Sequence, residues 1–384
     1  MKNGNKLSLL ILALSSVNAL AAPKTLTVGV SFRINDAYNN SVRSLLSGID
    51  TAKELFEKDH PNIRIELKQV AHSADLASVN TAAEKFIAEK VTAVIGGEMS
   101  EEAIVFGDRL GPKNIVFFTP TSSNPKVTDG KPFVFSACFS DRTVATEMAR
   151  YMKESLKPTA IGVIHNISSP YSDYLSNRFA ETFWRMTVQS PENRPPILVE
   201  KVLRRTLDFS KQIRKFKEAN VSHVAIFSHD ADLIQFVVQA EEQKFFPVYI
   251  GSDGWGSNQY VHEKFVKDSK NGAKFIAVRN SYWKEDAESS ISKWFKTTHK
   301  KLFNRAPEAW SAVAFDSAWL LFQAMAKVKD PNNGDEIRQE LKKTSGTQLV
   351  TTDSFSFDEN NTPKKDLYIY RISQTGIQYE ATLK

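Results

Sequence analysis

Residues 91–125, VTAVIGGEMSEEAIVFGDRLGPKNIVFFTPTSSNP, constrain the fold of this chain most tightly. Two short apolar runs, Ala93-Val94-Ile95 and Ile115-Val116-Phe117-Phe118, flank an amphipathic segment. Runs apolar on both faces suit strands buried in a parallel sheet, with the segment between them as a crossover helix. Each run ends in small and hydroxylic residues: Gly96-Gly97 up to Ser100, then Thr119-Pro120-Thr121-Ser122-Ser123. Open α/β sheets bind ligands beyond the carboxyl ends of their strands, where loops and helix N-termini present free N–H donors. These two strand ends therefore offer hydroxyls and amides to a small anionic or zwitterionic group. The same residues also read as a helix N-cap at Ser100 and a turn at 121–123 before Pro125.

The alternation repeats along the chain. Strands are expected at 26–30, 63–70, 93–96, 115–119 and 133–137, with helices at 40–58, 74–90 and 101–110 between the first four. A second series follows, with strands at 161–165, 197–202, 224–227, 248–250 and 275–278 and helices at 143–155, 171–186, 209–219 and 231–243. Two βα series of this length predict an α/β protein of two doubly wound lobes. The tail breaks the pattern: long helices at 287–303 and 307–326, a shorter one at 335–342, then strand-like runs at 355–357 and 367–372. If the long helices return to the first lobe and the terminal hairpin joins the second, the chain crosses between lobes three times. The crossings are expected near 137–141, 278–281 and 350–353, which makes a three-strand hinge and a clamshell. Lobe 1 is then residues 22–139 plus 280–351, and lobe 2 residues 140–279 plus 352–384.

The N-terminus predicts export. Lys2 and Lys6 precede an apolar run at 7–14, and Ala19-Leu20-Ala21 has the form of a signal-peptidase site. Residues 1–21 read as a cleaved signal peptide, too short to span a membrane, with the mature chain starting at Ala22. Cys138 is the only cysteine, so no lipid attaches at the cleavage site and no disulfide forms within the chain. Its apolar neighbours make it a core thiol. A soluble periplasmic monomer is expected. The formal charge of +6 falls to +4 without Lys2 and Lys6. Acids and bases mix along helical faces, and no basic stripe with interleaved aromatics suggests nucleic acid.

Catalytic motifs are missing: there is no G-x-S-x-G, G-x-G-x-x-G, Walker loop or HExxH. The seven histidines are dispersed without metal-ligand spacing. Neither a catalytic residue nor a cofactor nor a metal is expected. His165 and His229, at strand ends, are the two histidines that would face a cleft. The run 330–335 lacks the spacing of a calcium loop and reads as a turn before a helix.

Phe118-Thr119-Pro120-Thr121-Ser122-Ser123-Asn124-Pro125, followed by Lys131-Pro132-Phe133-Val134-Phe135, resembles a signature of type I periplasmic binding proteins of the leucine/isoleucine/valine-binding family. Val94-Ile95-Gly96 with Ser100, His165-Asn166 through Tyr171-Ser172, Gly251-Ser252-Asp253-Gly254 and Ala314-Phe315-Asp316-Ser317-Ala318 agree with that family in order and spacing. The resemblance covers nearly the whole mature chain. It implies capture of an α-amino acid between the lobes and delivery to the membrane permease of an ABC-type importer. Ser100 and Ser123 would hold the ligand carboxylate. The carbonyl of Thr121 and the carboxylate of Asp253 would share the ammonium, with Tyr171 closing from the second lobe. Glu98, Met99, Asp230 and Trp310 would surround the side chain, and the acids among them imply a polar or cationic one. Glu98 and Met99 replace small or apolar residues of the family, Ser228-His229-Asp230 departs from its glycine and aromatics, and residues 33–41 match poorly. On local grounds alone, Asp253 also reads as an Asx-turn, Tyr171 as a surface tyrosine behind a Ser168 or Ser169 cap with Pro170, and Glu98 as an outward acid beside Glu101 and Glu102. Two other functions fit the same clamshell: a ligand-sensing subunit for a membrane receptor or kinase, and a binder of amides, urea or aromatic acids.

Overall fold

Successive side chains of a strand point to opposite faces of its sheet, and helices cover both faces, so the central strands are buried at every position. The computed structural model describes residues 23–34, 39–188, 195–267, 271–281 and 283–383. The expected signal peptide lies outside them, as do residues 35–38 of the poorly matching loop.

The first sheet contains β1 (Lys24–Ser31), β2 (Ile63–Gln69), β3 (Ala93–Gly96), β4 (Val116–Thr119) and β5 (Val134–Ser136), all parallel, in the order β2-β1-β3-β4-β5. Val94, Phe117 and Val134 point to one face and pack with α2 (Leu76–Ala88) and α3 (Ser100–Leu110) through Val79, Ala83, Phe86, Ala103 and Phe106. Ala93, Ile95, Val116, Phe118 and Phe135 point to the other, where α1 (Asn39–Asp59) lies. Asp75 caps α2 by accepting from Ser78 N at 2.8 Å.

The second sheet begins after α4 (Asp141–Tyr151) and contains β6 (Ile161–Asn166), β7 (Ile197–Val202), β8 (His223–Ile226), β9 (Val248–Gly251) and β10 (Ile276–Ser281) as parallel strands. Its helices are α5 (Pro170–Thr187), α6 (Ser210–Glu218), α7 (Asp230–Glu242) and the short α8 (Asn258–His262). Ile161 and Val163 face Leu175 and Phe179 of α5, whereas Ile164, Val224 and Tyr249 face Phe216 of α6 and Phe236 of α7. A π-type turn at Met152–Leu156 extends α4, so the helix expected to reach 155 changes its hydrogen-bond pattern at 152.

The long tail helices return to the first sheet. α9 (Ser290–Phe303) and α10 (Ala309–Lys327) pack on α1, through His299 to Ser47 at 2.9 Å and the Phe56 ring against Trp319 and Phe322. Lys24 Nζ donates to the carbonyls of Met325, Ala326 and Val328 at 3.1–3.3 Å, which satisfies the C-terminus of α10. α11 (Gly334–Lys342) starts from an Asn333 cap, so the run 330–335 is the turn expected.

One expectation about the tail needs correction. Residues 355–357 do not join the second sheet. β11 (Ser356–Phe357) pairs with β12 (Pro363–Lys364) in a separate antiparallel ribbon on the first sheet, where Phe357 meets Phe118 and Phe135. Asn361 fastens it, its carbonyl accepting from Ser136 N at 3.0 Å and its amide donating to Val134 O at 2.9 Å. The strands that do extend the second sheet are β13 (Leu367–Ser373) and β14 (Gly376–Leu383), antiparallel beyond β10, giving β14-β13-β10-β9-β8-β6-β7. The third passage between the sheets therefore lies between Lys364 and Leu367, not at 350–353. Residues 350 and 351 are held instead in the first unit, their N–H groups donating to the buried Asp316 carboxylate at 2.8 and 2.9 Å.

Candidate functional site

Each doubly wound sheet has one point where the strand order reverses, between β1 and β3 in the first and between β6 and β8 in the second. Such switch points leave a crevice at the strand carboxyl ends. Here the two crevices face each other and enclose a cavity of about 510 Å³. Glu98, Ser100, Thr121, Ser123, Tyr171, Asp230, Asp253 and Trp310, the residues singled out from sequence, all line it.

The wall from the first sheet is built by the loops after β3 and β4. Gly97 takes a φ of +69°, a left-handed conformation that glycine adopts without strain, and turns the chain into α3. Two hydroxyls tie the loops together: Ser122 Oγ donates to Gly97 O at 2.9 Å and Thr121 Oγ1 to Glu98 O at 3.0 Å. Ser100 is the first residue of α3, not its cap; Met99 occupies the cap position, with the Glu102 carboxylate accepting from Met99 N at 3.3 Å. Ser100 Oγ instead accepts from Asn124 N at 3.4 Å. Thr121 spends its hydroxyl on the neighbouring loop, while Ser122 N donates to Thr119 Oγ1 at 3.2 Å and the carbonyls of Ser122 and Ser123 accept from Ser136 Oγ at 3.1 Å and Asp141 N at 2.8 Å. Glu98 does not turn outward. It lines the cavity, bonded to Ser41, and burial pushes its carboxyl up to about 7. The two acids that follow go elsewhere: Glu102 pairs with Arg33 in the interior, and Glu101 with Arg204 at 2.5 Å.

The opposite wall comes from the loops after β6, β8 and β9. Ser169 caps α5, with Pro170 at its first position, and so places Tyr171 in the first turn. Tyr171 is not a surface residue. It is buried, its hydroxyl shares a hydrogen bond with Ser252 Oγ, and its ring stacks on His229 with centroids 5.4 Å apart. Asp253 opens a short 3-10 turn, Asp253–Trp255, below that ring. Burial raises its carboxyl, with Arg279 opposing. Asp230, first residue of α7, accepts from Ala231 N at 2.9 Å and from the Tyr260 hydroxyl at 3.2 Å. Trp310 enters from the first turn of α10.

Of the two histidines expected at the cleft, His229 lines the cavity, whereas His165 is buried against Asp173 at 2.7 Å. Cys138 is buried, as expected, with its Sγ 3.9 Å from Asp253. Sequence reasoning missed Ser41, Arg43, Tyr260, Arg305 and Glu308, which also line the cavity. They come from elements far apart in the chain and carry no local motif; only Tyr260, close behind the Gly-rich loop 251–256, had a positional hint. Asp141 was also missed. It is buried beside Ser123 and Asp253, and burial holds its carboxyl well above the usual range. Among the described residues no cluster of three or more His, Cys, Asp or Glu could hold a metal ion, and no helix is long and apolar enough to cross a membrane.

Comparison with known proteins identifies the family and the fold. The profile of a family described as periplasmic binding protein matches residues 25–377. The chain is 25% identical, over 291 residues, to Leu/Ile/Val-binding protein homolog 1 of Brucella abortus (strain 2308), covering 75% of this chain and 74% of that one. Its structure superposes on the leucine binding protein LivK of Thermotoga maritima with a TM-score of 0.82 at 20% identity, covering 94% and 99% of the two chains. The branched-chain amino acid transporter substrate binding protein LivJ of Streptococcus pneumoniae, solved with isoleucine, gives 0.78 at 19% identity over 94% and 99%. A solute binding protein of an ABC transporter from R. palustris, in complex with 4-hydroxybenzoate, gives 0.80 at 14% identity over 94% and 97%. At such identities the structural likeness speaks for the fold, a two-lobed type I binding-protein architecture.

Proposed function

The chain belongs to the periplasmic binding protein family, and from that premise we propose that it captures an α-amino acid in the cleft between its lobes and hands it to an ABC-type importer. It does so as an exported, unlipidated protein of the periplasm that performs no chemistry on its ligand. The observation that carries this reading is the sorting of polar groups in the cavity. The hydroxyl residues Ser100 and Ser123 stand on one wall, and the buried Asp253 carboxylate on the other. A zwitterion needs donors at one end and an acceptor at the other, and charge-assisted hydrogen bonds contribute about 1.5–3 kcal/mol each. The Thr121 carbonyl completes the ammonium site, and Tyr171 lies over the α-carbon.

Burial raises the Asp253 carboxyl, and an ammonium beside it would stabilise the carboxylate. Asp253→Ala weakens an amino-acid ligand by about 2–5 kcal/mol, because the ammonium loses its counter-charge. Titration calorimetry on the mature protein, with amino acids identified by mass spectrometry of material released on denaturation, tests it. Unchanged affinity in Asp253→Ala removes the amino group from the recognised chemistry. Tight binding of a carboxylate without an amino group would place this chain with the hydroxybenzoate binder.

A further inference from the structure

We propose that the side-chain end of the cavity is a seat for a second cation, so that the captured amino acid carries an ammonium or guanidinium on its side chain. The proposal rests on the amino-acid reading above and names its substrate class. Two acids converge on this end from opposite walls: Glu98 from the loop after β3 and Asp230 from the start of α7. Glu98 bonds Ser41, while its Oε2 is buried and has no hydrogen-bond partner among the described residues. Asp230 is oriented by Tyr260 and by its own helix N-terminus. An aliphatic side chain placed here would leave the Glu98 oxygen unsatisfied. A cation supplies the missing donor and pairs with both acids. The indole of Trp310 lines the same cavity and can cover the methylene stem of a long side chain.

The charges around Glu98 set how binding depends on pH. Glu102 of α3 and Asp230 of α7 raise its carboxyl beyond the effect of burial; Ser41 and Arg33 oppose them, and Arg33 is itself bonded to Glu102. Arg43 and Arg305, the cations lining the cavity, donate respectively to Asn40 Oδ1 and to Arg43 O and Ser47 Oγ. With its carboxyl at about 7 in the empty cleft, Glu98 is partly protonated at neutral pH. A cationic side chain stabilises the carboxylate and expels that proton. Affinity for such a ligand therefore rises with pH through about 7, and binding releases protons.

Titration calorimetry with arginine, lysine and leucine, at pH 6 and pH 8 in two buffers of different ionisation enthalpy, is the test. Arginine or lysine is expected to bind at least about tenfold tighter than leucine, the value of a modest net ion pair. It should release protons and gain affinity at pH 8. Glu98→Gln, close in shape, should lose most of that preference and the proton release. Tighter binding of leucine, or a preference unchanged in Glu98→Gln, overturns the cation seat and leaves the amino-acid reading standing. Failure of arginine and lysine to bind overturns the seat, while the amino-acid reading stands or falls on the ligand released by denaturation.

Discussion

Ser100 and Tyr171 show how little a single position reveals until its neighbours are known. Both sit at helix starts, where serine usually caps and tyrosine can be buried or exposed. Ser100 misses the cap by one position because Met99 takes the extended conformation there, and its hydroxyl turns to the cleft and the 124 amide. Ser100→Ala should weaken the ligand by about 1–2 kcal/mol, one donor among several, read by calorimetry. Tyr171 is buried because α5 leans over the Gly251-Ser252-Asp253-Gly254 loop, and its hydroxyl is paired with Ser252. Tyr171→Phe leaves the Ser252 hydroxyl without that partner, so stability should fall by about 1–3 kcal/mol in thermal or denaturant unfolding. A variant as stable as the parent would mean that water takes over the bond.

At the scale of elements, the strands most apolar in sequence were the most legible. β3 is where the periodicity puts it, residue for residue, because a strand buried on both faces is bounded sharply by the glycines that end it. β14 was not foreseen: it is an edge strand, half exposed along its length, and carries no apolar alternation. The ribbon at 356–364 was assigned to the wrong unit, because an aromatic pair such as Phe355 and Phe357 fits either core and only Asn361 and Phe118 decide between them. The contact between α1 and α10 was equally invisible. Gly48 lets the helices approach so closely that a Cβ there would stand 2.1 Å from Ser311 O. Gly48→Ala should destabilise by about 1–3 kcal/mol through overpacking, measured by denaturant titration. The adjoining contact of α9 with α1 buries His299 between Ser47 and Phe295, and burial lowers its imidazole from 6.5 to about 4. A base depressed in the folded state contributes stability above its unfolded pKa and loses it as protons bind. Stability from His299 is thus complete above pH 6.5 and lost as pH falls toward 4, about 3 kcal/mol in all at 1.36 kcal/mol per pKa unit. Asp316, raised to about 6, acts in the opposite direction, so the test is a difference. His299→Gln should show a smaller drop in stability than the parent between pH 6.5 and 4, and parallel curves would contradict it.

For the whole molecule the deciding contacts bridge the cleft. Arg204, behind β7, pairs with Glu101 of α3, and Asn124 Nδ2 donates to Pro170 O at 2.6 Å. Both bonds join the two units across the cleft. Ligand that binds the closed form better will shift the equilibrium toward it. Small-angle scattering should show a smaller radius of gyration on saturation, and Arg204→Ala, removing an exposed pair of at most about 1 kcal/mol, should loosen ligand up to about fivefold. Identical scattering profiles with and without ligand would argue against closure. The alternation of apolar runs and amphipathic segments was enough, by itself, to determine two doubly wound lobes, because strand and helix periods are local properties of the chain. The hydroxyl-rich strand ends marked where a ligand would lie for a similar reason: the carboxyl ends of parallel strands share one edge whatever follows. Which acids face inward was decided only by tertiary structure. Glu98, Glu101 and Glu102 are near neighbours in sequence, yet one lines the cavity, one bridges the lobes and one pairs with Arg33, because the partners that select among them come from the segment just after β1, from α1 and from the far lobe.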